Sequence, residues 1–109
     1  MGCGLTRQSL FLEKALMDVS EMRRAIREGR TEGLSDHLRA LWHEGSGDWE
    51  AAHAVVQDMD DAEAAWIHAY LHRREGDLSN ADYWYRRAGR KRPAQGLDEE
   101  WAFLVEALR

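Results

Sequence analysis

This chain of 109 residues does without most of the devices that staple, interrupt or anchor a protein. A single cysteine excludes a disulfide framework. A single proline, beside apolar residues recurring at steps of three and four, argues against an all-β fold. No apolar run approaches the ~20 residues that span a bilayer, and none of about 7–15 residues follows a basic start as in a secretory signal. Positive charge is in the minority. Fifteen Lys and Arg against 20 Asp and Glu give a formal charge of −5, which opposes general affinity for nucleic acid. The glycine-rich phosphate loop, the G-x-G-x-x-G turn and the G-x-S-x-G nucleophile elbow are all missing. No carboxylate pair stands out as a catalytic dyad, so the sequence assigns no reaction.

What is present builds a core. Hydrophobic residues make up 44% of the chain and five are Trp, enough for one folded domain despite a charged fraction of 32%. The expected architecture is a single all-α domain over 1–109 with about six antiparallel helices. It has a flexible start at 1–5, a long helix at 6–29, repeat-like hairpins at 35–93 and a capping helix at 97–109. Leu12, Ala15, Leu16, Val19, Met22 and Ile26 make one apolar stripe on the first helix, which Thr6 or Ser9 caps and Gly29 ends. Ser35 opens the second helix and Gly45-Ser46-Gly47 breaks it. Asp48, Asp60 or Asp61, Asp77 and Asp98 start the others, where a carboxylate complements the helix dipole. Met1-Gly2-Cys3-Gly4-Leu5-Thr6 matches the myristoylation pattern, with Cys3 open to palmitoylation. That pattern is short and common by chance, and the default expectation is a soluble cytoplasmic protein with Cys3 reduced.

Ala40-Leu41-Trp42-His43 aligns with Ala69-Tyr70-Leu71-His72 at a spacing of 29 residues, and the register continues through Gly47 and Gly76, Asp48 and Asp77, Trp49 and Leu78, Ala52 and Ala81. The shared form is A-[LY]-[LW]-H-x-x-x-G-D-[LW]-x-x-A. Each part has a physical task. The glycine allows a tight turn, the aspartate caps the next helix, the large apolar residue fills the wedge, and the alanine lets helices approach.

Gly76-Asp77-Leu78-Ser79-Asn80-Ala81, with Tyr85, Ala88 and Pro93, resembles the second helix of a tetratricopeptide-type hairpin, and Gly47-Asp48-Trp49-Glu50-Ala51-Ala52 follows the same form over its turn. The resemblance covers residues 35–93. It implies a helical scaffold that binds a protein or peptide in the groove between hairpins, with the first and last helices capping the stack. The run from Ala65 through His68-Ala69-Tyr70-Leu71-His72-Arg73-Arg74-Glu75-Gly76-Asp77, then Asn80-Ala81-Asp82-Tyr83-Trp84-Tyr85-Arg86-Arg87-Ala88-Gly89, is similar to small bacterial proteins of unassigned function. That likeness implies a bacterial cytosolic protein and supplies no activity.

In the tetratricopeptide pattern, the positions of Ala65, His68, Ala69 and His72 face the packed or concave side. His68 and His72 are spaced i, i+4 on one helical face. His43 holds the equivalent of His72 in the preceding unit, and His53 lies on the helix between them. A buried imidazole needs partners for its N–H and its lone pair. Residues 40–72 hold seven acids and no Lys or Arg, a field that favours cations. Three readings stand: hydrogen-bonded structural histidines, a site for a divalent metal such as zinc on His68, His72 and His43, or a ligand pocket supported by Tyr70, Tyr85 or a carboxylate. The H-E-x-x-H zincin form is absent, because Ala69 replaces the glutamate. No other cofactor is expected. His37, at a helix start, is expected to be exposed.

From residue 73 to 92, seven basic residues face three acidic ones. Trp84 and Tyr85 fall on a stripe with Ala81 and Ala88 and are expected in the core. Tyr83, Arg86, Arg87 and Arg90 are the candidate contacts for an anionic ligand or an acidic protein segment. The alternatives are pairing with the acidic half, within the chain or across a homodimer, and nucleic-acid stacking, which the net charge opposes.

Overall fold

The computed structural model describes residues 18–109. Six α-helices and no strands occur among them: α1 Val19–Glu28, α2 Asp36–Gly45, α3 Trp49–Val56, α4 Ala62–Arg74, α5 Leu78–Arg87 and α6 Leu97–Leu108. The all-α expectation holds.

The helix starts follow the sequence closely. The side chains of Asp18, Ser35, Asp48, Asp61 and Asp77 each accept the N–H three residues on, from Glu21, Leu38, Ala51, Ala64 and Asn80. Each such cap stabilises its helix by about 1 kcal/mol. Three boundaries differ from expectation. The helix ending at Glu28 begins at Val19 behind the Asp18 cap, and the expected starts at Thr6 or Ser9 lie outside the described residues, as do Met1-Gly2-Cys3. The last helix starts at Leu97, as the 97–109 span has it, but not at Asp98: Glu99 reaches back 2.9 Å to accept the Gly96 N–H. Gly45 does not break α2 but ends it. A Cβ there would lie 2.6 Å from Ile26 Cδ1 and 2.9 Å from Trp101 Cζ2, so the missing side chain is what lets α1 and α6 close on α2.

The two glycine–aspartate corners have matching backbones. Gly47 and Gly76 take φ of 89° and 91°, a region that favours glycine. Asp48 and Asp77 follow at φ/ψ of −112°/78° and −93°/80°. Their N–H groups donate to the His43 and His72 carbonyls, both at 2.9 Å.

α4 is the hub. It packs against α2, α3, α5 and α6, while α1 packs on α2 and α6. Every residue of α4 from Ala64 to His72 is buried, so this helix has no solvent face over more than two turns. Met22, Leu38, Leu41, Val56, Ile67, Tyr70, Leu71, Tyr85, Trp101, Leu104 and Val105 fill the core around it. Apart from the Trp42 indole N–H, which is buried without a hydrogen-bond partner, side-chain polar atoms at depth are paired. Glu100, fully buried, accepts from the Tyr85 hydroxyl at 2.6 Å and from Arg73 Nη1 at 2.7 Å. The Trp101 Nε1–H donates to the Leu41 carbonyl at 3.0 Å, joining α6 to α2. No helix among the described residues is long and apolar enough to cross a membrane.

Candidate metal centre

His68 and His72 lie one turn apart on α4 and are both buried. The third imidazole beside them comes from α3. His53 Nε2 sits 3.0 Å from His68 Nε2, with ring centroids 4.7 Å from His68 and 5.4 Å from His72. Each of the three offers a ring nitrogen, and these nitrogens all lie within 4.8 Å of one another. They form a group that could hold a metal ion.

Two indoles bracket the group. Trp49, the wedge residue of the first corner, stacks on His53 at 4.9 Å and 9°. Its Nε1–H donates to the Leu71 carbonyl at 2.6 Å, which ties α3 to α4 beside His72. Trp84 stacks on His68 at 3.9 Å and 16°. The rings are thus held by packing on both sides, and each has few rotamers left to lose.

The electrostatics keep lone pairs available. Burial, followed by the neighbouring His53 and His72, pushes His68 down to about 4. Burial and the charge of His72 also lower His53, with Glu75 and Glu50 acting the other way. At neutral pH, His53 and His68 are therefore neutral. One ring donates its single Nε2–H and the other accepts with its lone pair. On the far side, His72 Nδ1 lies 2.7 Å from Glu75 Oε2. That contact leaves Nε2 as the free nitrogen and fixes the ring's orientation, as a carboxylate behind a ligating histidine does.

Several expected participants sit elsewhere. His43 is not in the group; its ring lies edge-on to Trp42 at 5.3 Å. The repeat places His43 and His72 on equivalent faces of α2 and α4, but equivalent faces of successive units look into different grooves. His53 is the residue that the repeat register hides. It follows Trp49 by one turn and adjoins Ala52, on the stripe by which α3 packs against α4. Tyr70 and Tyr85 do not support the imidazoles either. The Tyr70 hydroxyl donates to Glu44 at 2.8 Å and accepts from Arg74 at 2.9 Å. The Tyr85 hydroxyl is bound to Glu100. Burial, with the adjoining carboxylate, raises both phenols well above their ordinary range, so they stay neutral donors.

His37 is half-buried instead of exposed. Its Nε2 meets the Asp61 carboxylate, joining the start of α2 to the cap of α4. Burial pushes Asp61 up, but the His37 and Ala64 bonds outweigh it and hold the carboxyl below its usual value.

The four candidate partner contacts on α5 and beyond divide into two pairs. Arg87 donates to the Tyr83 hydroxyl at 3.2 Å and covers the Trp84 ring at 5.2 Å. Arg90 lies 3.4 Å over the Trp66 ring centroid. Arg86 shares a cleft with Arg90, away from Tyr83. Pairing with the acidic half within the chain is not found: among the described residues, no carboxylate forms an ion pair with Arg86, Arg87 or Arg90. Trp84 and Tyr85 do pack as expected, Tyr85 in the core and Trp84 against it.

Comparison with family models, with curated proteins and with solved structures gives no match to this chain, so the chemistry of the site rests on its own residues.

Proposed function

We propose that this chain is a small helical scaffold that holds a divalent transition metal such as zinc on His53, His68 and His72. One observation carries the reading: three imidazole nitrogens from two helices converge, with a carboxylate behind one of them. Zinc–nitrogen bonds of about 2.0–2.1 Å in a tetrahedron put the nitrogens about 3.3 Å apart. The His53–His68 separation of 3.0 Å already approaches that spacing. The donating ring would carry its proton on Nδ1 instead, so that both Nε2 lone pairs would face a metal. Modest rotation of His72 about its side-chain bonds would complete the set and leave a fourth position for water or an anion. Glu75, Glu50 and the acid excess of residues 40–72 would offset the added charge.

The test is zinc titration of the full, untagged chain by calorimetry. One equivalent should bind, and His53→Ala or His68→Ala should weaken binding by about a hundredfold or more, whereas His43→Ala should change little. No heat of binding, or a loss in His43→Ala as large as in His68→Ala, would sink the proposal.

A second reading, a tetratricopeptide-like scaffold for a protein or peptide partner, draws support from the matching corners and from the exposed Leu78, Tyr83 and Arg87 on α5. The same surface could seat a second copy of the chain, which sizing at two concentrations would reveal. Partner capture undiminished in Arg86→Ala and Arg87→Ala would remove this reading. The resemblance to bacterial proteins and the single cysteine support a bacterial, cytoplasmic setting for either.

A further inference from the structure

None of the residues of the histidine group contributes to a cleft of about 440 Å³ beside the end of α5. Arg73, Arg86, Arg90, Lys91 and Arg92 line it, with Asp82 as its one carboxylate. Some of this charge is already matched. Arg73 is held by Glu100 and by the Gln95 carbonyl at 2.6 Å. Arg92 grips Asp82 through two bonds, at 3.1 and 3.3 Å. That leaves Arg86, Arg90 and Lys91 facing one concavity with no carboxylate paired to them among the described residues.

The walls are fixed before any ligand arrives. The backbone N–H groups of Gly89 and Arg90 donate to the Arg86 and Tyr85 carbonyls at 3.0 and 2.8 Å. Those bonds occupy carbonyls at the end of α5 that would otherwise repel an anion. The Arg90 guanidinium is seated on Trp66, which restricts its motion beside the cleft. Three like charges around one opening repel one another, and the repulsion is relieved by a compact, multiply charged anion. A guanidinium presents paired donors that match a phosphate oxygen edge. The volume suits a small molecule, within the ~300–1,000 Å³ typical of such sites.

We propose that this cleft binds the dianionic phosphate group of a small phosphomonoester, with Arg86, Arg90 and Lys91 as its contacts. The inference does not depend on the metal site. The probe is phenyl phosphate, titrated by calorimetry into the full chain at low salt with a chelator present, and phenol serves as the control. Phenyl phosphate should bind and phenol should not. Arg86→Ala and Lys91→Ala should each weaken binding by about fivefold or more, and the double variant by more than either. Arg86 and Lys91 are exposed and outside the core, so an unchanged melting temperature will show that these variants fold. Raising the salt should weaken binding steeply. Absence of binding up to about 10 mM phenyl phosphate, equal binding of phenol, or full affinity in the double variant would overturn the proposal. So would an unphosphorylated acidic peptide that binds where phenyl phosphate does not, since the cleft would then be a peptide-docking surface.

Discussion

The first and second glycine–aspartate corners share a backbone and differ in fate. After Asp48 comes Trp49, which turns inward, donates to the Leu71 carbonyl and roofs the imidazoles. After Asp77 comes Leu78, at the same register, and it stays 43% exposed. The corner therefore sets the direction of the chain, and the neighbouring unit sets the value of the wedge residue. α3 has α4 to pack against, whereas the corresponding surface of α5 carries the exposed Tyr83 and Arg87, which bond to each other along the helix. Repeated local chemistry here produces one interior site and one open face.

The largest expected break in that contrast is at the wedge. Trp49→Ala should cost about 3 kcal/mol in denaturant unfolding, from lost packing and a lost hydrogen bond. Leu78→Ala should stay within about 0.5 kcal/mol. Equal losses at the two positions would show that the units are not used differently.

Acid should act on the same interior contact. The folded state holds His68 at about 4, below the ordinary 6.5 of the unfolded chain. As pH falls below that ordinary value, the unfolded chain takes up protons first, so this contribution is fully present above pH ~6.5 and is lost towards pH ~4. Metal-free protein should lose on the order of 1–2 kcal/mol between pH 7 and 5, with His53 acting in the same direction. Denaturant titration at several pH values measures it, and His68→Leu should flatten the dependence. A profile unchanged by that substitution would show that the imidazole titrates alike in folded and unfolded chains.

The corners themselves offer a smaller, matched effect. Gly47→Ala and Gly76→Ala each place a side chain at positive φ and should each cost about 1–2 kcal/mol. Similar values would extend the backbone likeness to energetics, and a difference beyond about 1 kcal/mol would break it.

The fold was largely legible in the sequence because its signals are local. Ser35, Asp48, Asp61 and Asp77 cap the helices they precede, and stripes such as Trp101, Leu104 and Val105 reach the core. Gly45 was misleading, since a glycine that ends a helix and one that permits close packing look alike until Ile26 and Trp101 are in place. The site was half legible. His68 and His72 share a face by helical spacing alone. The choice of His53 over His43 depends on which groove each helix faces, and a translation-like repeat does not contain that information. The free cations of the α5 cleft were named in part, but spacing alone did not show that Tyr83 pairs with Arg87, four residues on, and leaves Arg86 and Arg90 to the cleft.

X-ray absorption at the zinc edge of the loaded, untagged chain tests the central claim most directly. The account predicts three imidazole nitrogens at about 2.0–2.1 Å, falling to two in His53→Ala. A shell with fewer than three imidazoles, or one unchanged by His53→Ala, would contradict it.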